Sequence, residues 1–153
     1  LAFLRGVYEN GGGAWFDVLG SHPYGGSSPP EVKGEPVYFR RAEEQRQVMV
    51  QHGDADKPVW ATEFGWASIE NMGPMNTAGW EYAREVSEAQ QGKYIVRAFH
   101  FGDERPWIGP MFLWNLNMAT TWGPENSTSA YSLLRPDRSL RPAYFELRWP
   151  KPL

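Results

Sequence analysis

The chain has 153 residues, of which 41% are hydrophobic and 22% charged, with a formal net charge of -3. That balance supports a buried core and excludes global disorder, and the mild negative charge argues against a nucleic-acid partner. No apolar run reaches the ~20 residues of a membrane span, and the lack of Cys excludes disulfides, thiolate metal sites and a Cys nucleophile without fixing a compartment.

The chain opens inside an apolar segment, Leu1-Ala2-Phe3-Leu4. A part of a longer protein is expected. Leu1 to Tyr8 reads as the end of a helix closed by Gly11-Gly12-Gly13. Trp15 to Ser21 is apolar without alternation, as in a strand buried on both faces. A Pro-rich loop follows from His22 to Pro36. Phe39 to His52 reads as a helix, with Phe39, Ala42, Met49 and Val50 on one stripe and Gly53 at the stop.

The pattern then repeats. Lys57 to Thr62 is a short strand with Pro58 where no ladder donor is needed. A long loop runs from Phe64 to about Val86. Ser87 and Gln90 form a capping box. The next helix carries Tyr94, Ile95, Ala98, Phe99 and Phe101 inward and ends at Gly102. Pro110 to Trp114 is the third strand, and a polar loop runs from Asn115 to Ser129. Pro142 starts a short last helix, Ala143 to Arg148.

Strand and helix therefore alternate three times, which predicts an α/β fold with a parallel sheet. The long loops all follow strands. That asymmetry belongs to (β/α)8 barrels, whose post-strand loops carry the chemistry. A complete barrel needs roughly 250 residues, so three units make under half of one. An open doubly wound sheet would carry a Gly-rich phosphate turn after its first strand, and none is present.

Three segments follow the strands: His22-Pro23-Tyr24, Glu63-Phe64-Gly65-Trp66 and Trp114-Asn115. Glu63 stands directly after a buried strand, where a carboxylate is costly unless paired or used. It reads as a catalytic group or as a capping or salt-bridged Glu. His22 and Tyr24 are placed to donate hydrogen bonds to it, though each alone also suits an ordinary turn. Trp114 reads as a stacking platform for a sugar face or as core. Trp66, Trp80, Trp107 and Trp122 lie in or near loops and suggest an aromatic carbohydrate cleft, or a second core layer over it. His22, His52 and His100 lack metal-ligand spacing, and no nucleophile elbow appears. Glu43, Glu44, Glu85 and Glu88 read as a solvated helix face.

Several of these segments resemble the clan A glycoside hydrolases, which are retaining (β/α)8 enzymes. Phe16 to Tyr24 resembles their sixth strand. Lys57 to Trp66 resembles the seventh, which ends in the nucleophile. Phe112 to Asn115 resembles the eighth. Tyr131-Ser132-Leu133-Leu134, Pro136-Asp137 and Arg141-Pro142-Ala143-Tyr144 resemble the closing segment. The resemblance spans nearly the whole chain and is specific for the clan rather than for one family in it. It implies Glu63 as the nucleophile, Tyr24 and His22 as the pair orienting it and touching substrate, and Trp114 as the platform at the cleavage point. Trp66 and Asn115 are expected to contact substrate beside it.

One departure is informative. Retaining hydrolysis needs a second carboxyl group roughly 5–5.5 Å from the nucleophile. In the clan it follows an Asn at the end of strand four, and this sequence has no Asn-Glu dipeptide. The expectation is a single partial domain over residues 1–153, the C-terminal part of a barrel, about strands six to eight. It would act on an oligo- or polysaccharide, with no cofactor and no metal, and would need the N-terminal half of the barrel from the same gene or another chain. The competing expectations are a non-catalytic sugar-binding module and a scaffold with a decayed site.

Overall fold

The computed structural model describes residues 1–34 and 36–148. Residue 35 of the expected first loop lies outside the described residues. Three strands form one parallel sheet in chain order: β1 (Leu19–Ser21), β2 (Val59–Phe64) and β3 (Ile108–Leu113). Leu19 pairs with Val59, Ala61 with Met111, and Phe64 with Leu113. The helices are α1 (Ala2–Glu9), α2 (Arg41–Gln51), α3 (Glu88–Asp103), α4 (Ala119–Trp122) and α5 (Pro142–Arg148), with short 3-10 turns at Gly12–Trp15, Glu81–Arg84 and Ser127–Tyr131.

Helices α1, α2, α3 and α5 cover one face of the sheet. Val59 packs with Leu4, Val48 and Met49, joining β2 to α1 and α2. Ala61 and Phe64 pack with Ile95, Ala98 and Phe101 of α3 and with Ala143 of α5. On the opposite face Gly20, Thr62, Pro110 and Phe112 are exposed. Phe112 is 53% exposed. A parallel sheet normally has both faces covered. Here only one is covered by described residues: along β2 Val59, Ala61 and Phe64 are buried and Thr62 is exposed, the alternation breaking between Ala61 and Phe64, where the register against β3 shifts.

Several boundaries differ from the sequence reading. The first strand is three residues long, because Gly12–Trp15 turns as a 3-10 segment after Gly11 adopts φ 76°. Trp15 is consequently 88% exposed rather than inside a strand. In α2 Val48 is buried together with Ala42 and Met49, and Val50 points outward at 49% exposure. In α3 the Ser87–Gln90 capping box forms as expected. Gly102 does not end that helix. It lies within it, where a Cβ would stand 2.3 Å from the Met111 sulfur, so β3 approaches the helix closely there. The polar loop after β3 contains the short helix α4. Glu63 and Phe64 belong to β2 itself.

Candidate active site

The C-terminal ends of the strands are tied directly to one another. Gly25 N donates to the Gly65 carbonyl at 3.1 Å, and Trp114 N donates to the Phe64 carbonyl at 2.8 Å. These bonds draw the three post-strand loops together around Glu63. Phe64 is buried in the helix-side core, while the Glu63 side chain is 30% exposed and its carboxylate faces Tyr24 and His22.

Tyr24 donates its hydroxyl to Glu63 Oε2 at 2.6 Å. This is a short, charge-assisted bond. Burial first, then the Glu63 bond, pushes the Tyr24 phenol well above its ordinary range, so it keeps its proton and remains a donor. His22 Nδ1 stands 3.5 Å from the same oxygen, at ion-pair rather than hydrogen-bond distance. Its ring is exposed. Trp114 is half-buried beside this pair of strand ends, its indole tilted 41° to that of Trp122 at 6.5 Å. Trp122 is 50% exposed.

Two expected site residues stand elsewhere. Trp66 is fully buried, packed on Phe39 and Tyr94, and its indole N–H donates to the Ser28 carbonyl at 2.7 Å. Its ring leaves no open face for a ligand. An indole of this size removes about 150–250 Å² from water, which makes Trp66 an anchor worth several kcal/mol at ~25 cal/mol per Å². Asn115 is also buried. Its Nδ2 donates to the Thr128 carbonyl at 3.0 Å, and its Oδ1 accepts from the Ser132 hydroxyl at 2.6 Å. Both polar atoms therefore hold the third loop. Trp107 precedes β3 and meets Arg46, at the end of the sheet remote from Glu63.

A buried polar network went unread in the sequence. Arg141 is fully buried. Its Nη1 donates to the carbonyls of Ala130 and Ser132, its Nη2 to that of Ser68, and its Nε to Glu88 Oε1 at 3.0 Å. Glu88 is thus not on a solvated face: it is 3% exposed and paired with both Arg141 and Arg135. Gln91 adds bonds to the carbonyls of Trp66 and Ala130. This network fastens the loops after β2 and β3 to α3 and α5. Its only sequence signal was the Arg141-Pro142 start of the last helix.

Among the described residues no group of three or more His, Cys, Asp or Glu is arranged to hold a metal ion, and no helix is long and apolar enough to cross a membrane.

No protein-family model and no curated protein matches the sequence. Solved structures do match in fold. The chain is similar to a family 39 glycoside hydrolase from the gut symbiont Bacteroides cellulosilyticus WH2, with a TM-score of 0.64 at 21% identity over 94% of this chain and 28% of that one. The chain has a glycosidase-like fold. It is also similar to a GH2 beta-galacturonidase from Eisenbergiella tayi, with a TM-score of 0.56 at 17% identity over 86% of this chain and 23% of that one. A beta-glucuronidase from Ruminococcus gnavus matches with a TM-score of 0.50 at 23% identity, over 89% and 22% of the respective chains. The chain spans under a third of the length of each of these proteins.

Proposed function

We propose that this chain is a partial domain, the last three βα units of a (β/α)8 retaining glycosidase of clan A type. The bond from Tyr24 to Glu63 carries the reading. It places a carboxylate with a dedicated donor at the C-terminal ends of parallel strands, on a face left open by described residues, in a glycosidase-like fold. In this kind of fold the chemistry sits at that end of the sheet.

In this reading Glu63 attacks the anomeric carbon of a bound glycoside. The glycosidic C–O bond breaks as an ester bond to Glu63 forms, and a second carboxyl group protonates the departing oxygen. Water, deprotonated by that second group, then opens the ester and returns Glu63 as a carboxylate. Tyr24 holds Glu63 in its attacking orientation, His22 lines the same oxygen, and Trp114 lies under the sugar. The second carboxyl group comes from the remaining barrel units, because this sequence lacks the Asn-Glu pair that supplies it in the clan. The substrate is an oligo- or polysaccharide, and no cofactor takes part.

The test has two arms. The 153-residue chain alone is expected not to hydrolyse an aryl glycoside. A protein containing the rest of the catalytic domain is expected to hydrolyse it and to lose nearly all activity on Glu63→Gln. Activity of the isolated chain would overturn the partial-domain reading, and an active Glu63→Gln protein would overturn the nucleophile.

A further inference from the structure

Three tyrosines converge behind Glu63, one from each post-strand loop. Tyr24 follows β1, Tyr82 lies in the Glu81–Arg84 turn after β2, and Tyr131 closes the Ser127–Tyr131 turn after β3. The edge of one ring meets the face of another between Tyr24 and Tyr131, with centroids 5.1 Å apart and planes at 64°. The Tyr131 hydroxyl bonds the Tyr82 hydroxyl at 2.9 Å. The backbone of Tyr131 is fixed on both sides, because Arg141 Nη1 bonds the carbonyls of Ala130 at 2.9 Å and Ser132 at 3.2 Å. Gln91 bonds the Ala130 carbonyl as well.

Tyr131 makes no hydrogen bond to Glu63, yet its ring meets Tyr24, its hydroxyl is bonded to Tyr82 and its flanking carbonyls are held by Arg141. An aromatic edge contact is favourable beyond the area it buries. It also fixes the plane of the ring it meets, and because a phenolic O–H lies in its ring plane, that plane sets the direction in which the Tyr24 hydroxyl donates to Glu63 Oε2.

We propose that Tyr131 is a positioning residue, held by Tyr82 and by the Arg141-bound turn, that keeps the Tyr24 hydroxyl on Glu63. This inference rests on the assignment of Glu63 as nucleophile for its catalytic meaning, although its geometric content stands apart from that assignment. Tyr131 takes no part in bond making. It acts through Tyr24.

The test uses a protein that contains this chain and the rest of its catalytic domain, with carbon-13-labelled tyrosine, and follows solvent exchange of the Tyr24 hydroxyl proton through the isotope shift at its Cζ. Tyr131→Leu removes the ring edge and is expected to speed that exchange about tenfold. Tyr131→Phe and Tyr82→Phe keep the rings and lose only their mutual bond, so each is expected to speed it roughly two- to tenfold. Unchanged Tyr24 exchange in all three, with native amide spectra, would overturn the proposal. So would a lowered melting temperature without any change at Tyr24, since that is the mark of a merely structural residue. Should Tyr131→Leu fail to fold, the two Phe variants decide alone. In a protein with the rest of the catalytic domain the Phe variants are expected to lower kcat with little change in KM. A fall in kcat while Tyr24 exchange stays unchanged would also count against it. If Glu63→Gln left that protein active while Tyr24 still responded to Tyr131, the functional reading would fail and this one would stand.

Discussion

Tyr24 and Glu63 lie 39 positions apart and meet at 2.6 Å, joining the ends of β1 and β2. Loss of that hydroxyl leaves the carboxylate without its closest donor. Tyr24→Phe is therefore expected to lower kcat/KM about 10- to 100-fold in a protein with the rest of the catalytic domain, since a hydrogen bond to a charged group contributes ~1.5–3 kcal/mol. Steady-state kinetics on an aryl glycoside measures this. A rate equal to the parent's would remove Tyr24 from the site.

Gly25 makes room for Trp66. A Cβ at residue 25 would stand 1.8 Å from the indole Cε2, and the indole is locked by its bond to the Ser28 carbonyl. Gly25→Ala must displace either the buried ring or the loop carrying Tyr24. The expected cost is about 1–3 kcal/mol or more in chemical denaturation. A variant as stable as the parent would show that the loop yields without cost.

Arg141 is expected to be the most sensitive position outside the site. Arg141→Met leaves the buried Glu88 carboxylate short of a partner and takes from the Ser68 and Ser132 carbonyls their Arg141 donor. Breaking such a buried pair costs about 3–5 kcal/mol. Arg141→Lys should recover only part, because one ammonium lacks the planar fork that spans both loops. Denaturant unfolding measures both. A loss no larger than the ~1 kcal/mol of an exposed pair would contradict the role given to this network.

The other end of the sheet carries a pH dependence. Lys57 Nζ lies 2.9 Å from Asp54 Oδ2, and the Tyr8 hydroxyl donates to the same oxygen at 2.8 Å. The Lys57 bond holds the Asp54 carboxyl below the ordinary carboxylate range. A depressed folded pKa contributes stability above the unfolded value of about 4, and that contribution is lost as pH falls toward the folded value. Asp54→Asn should melt below the parent near neutral pH, with the gap narrowing below about pH 4. Melting curves across that range test it, and a gap that does not change with pH would contradict it.

Much of this was readable in the residues, and the failures share causes. Alternating apolar and helical segments located all three strands because burial sets that pattern, and the Ser87–Gln90 box located the start of α3 because its hydrogen bonds are local. Glu63 and Tyr24 emerged because a carboxylate at a strand end needs a partner. Trp66 and Asn115 were misjudged because a loop position suggests exposure, whereas Phe39, Tyr94 and Ser28 enclose the one and Thr128 and Ser132 consume the polar atoms of the other. Glu88 looked solvated because its partners, Arg135 and Arg141, are 47 and 53 residues away. Gly102 looked like a stop because close approach of Met111 leaves no local trace in sequence. Pairings at such separations are set by tertiary packing, which periodicity does not encode.

The most direct measurement is covalent trapping. A protein containing this chain and the rest of its catalytic domain is incubated with an activated 2-deoxy-2-fluoro glycoside, which slows hydrolysis of a glycosyl ester. Peptide mass spectrometry then locates the label. The expected result is one fluoroglycosyl ester, on Glu63, absent from the Glu63→Gln variant. A label on a different carboxylate, or retained after Glu63→Gln, would contradict the assignment of Glu63 as the nucleophile.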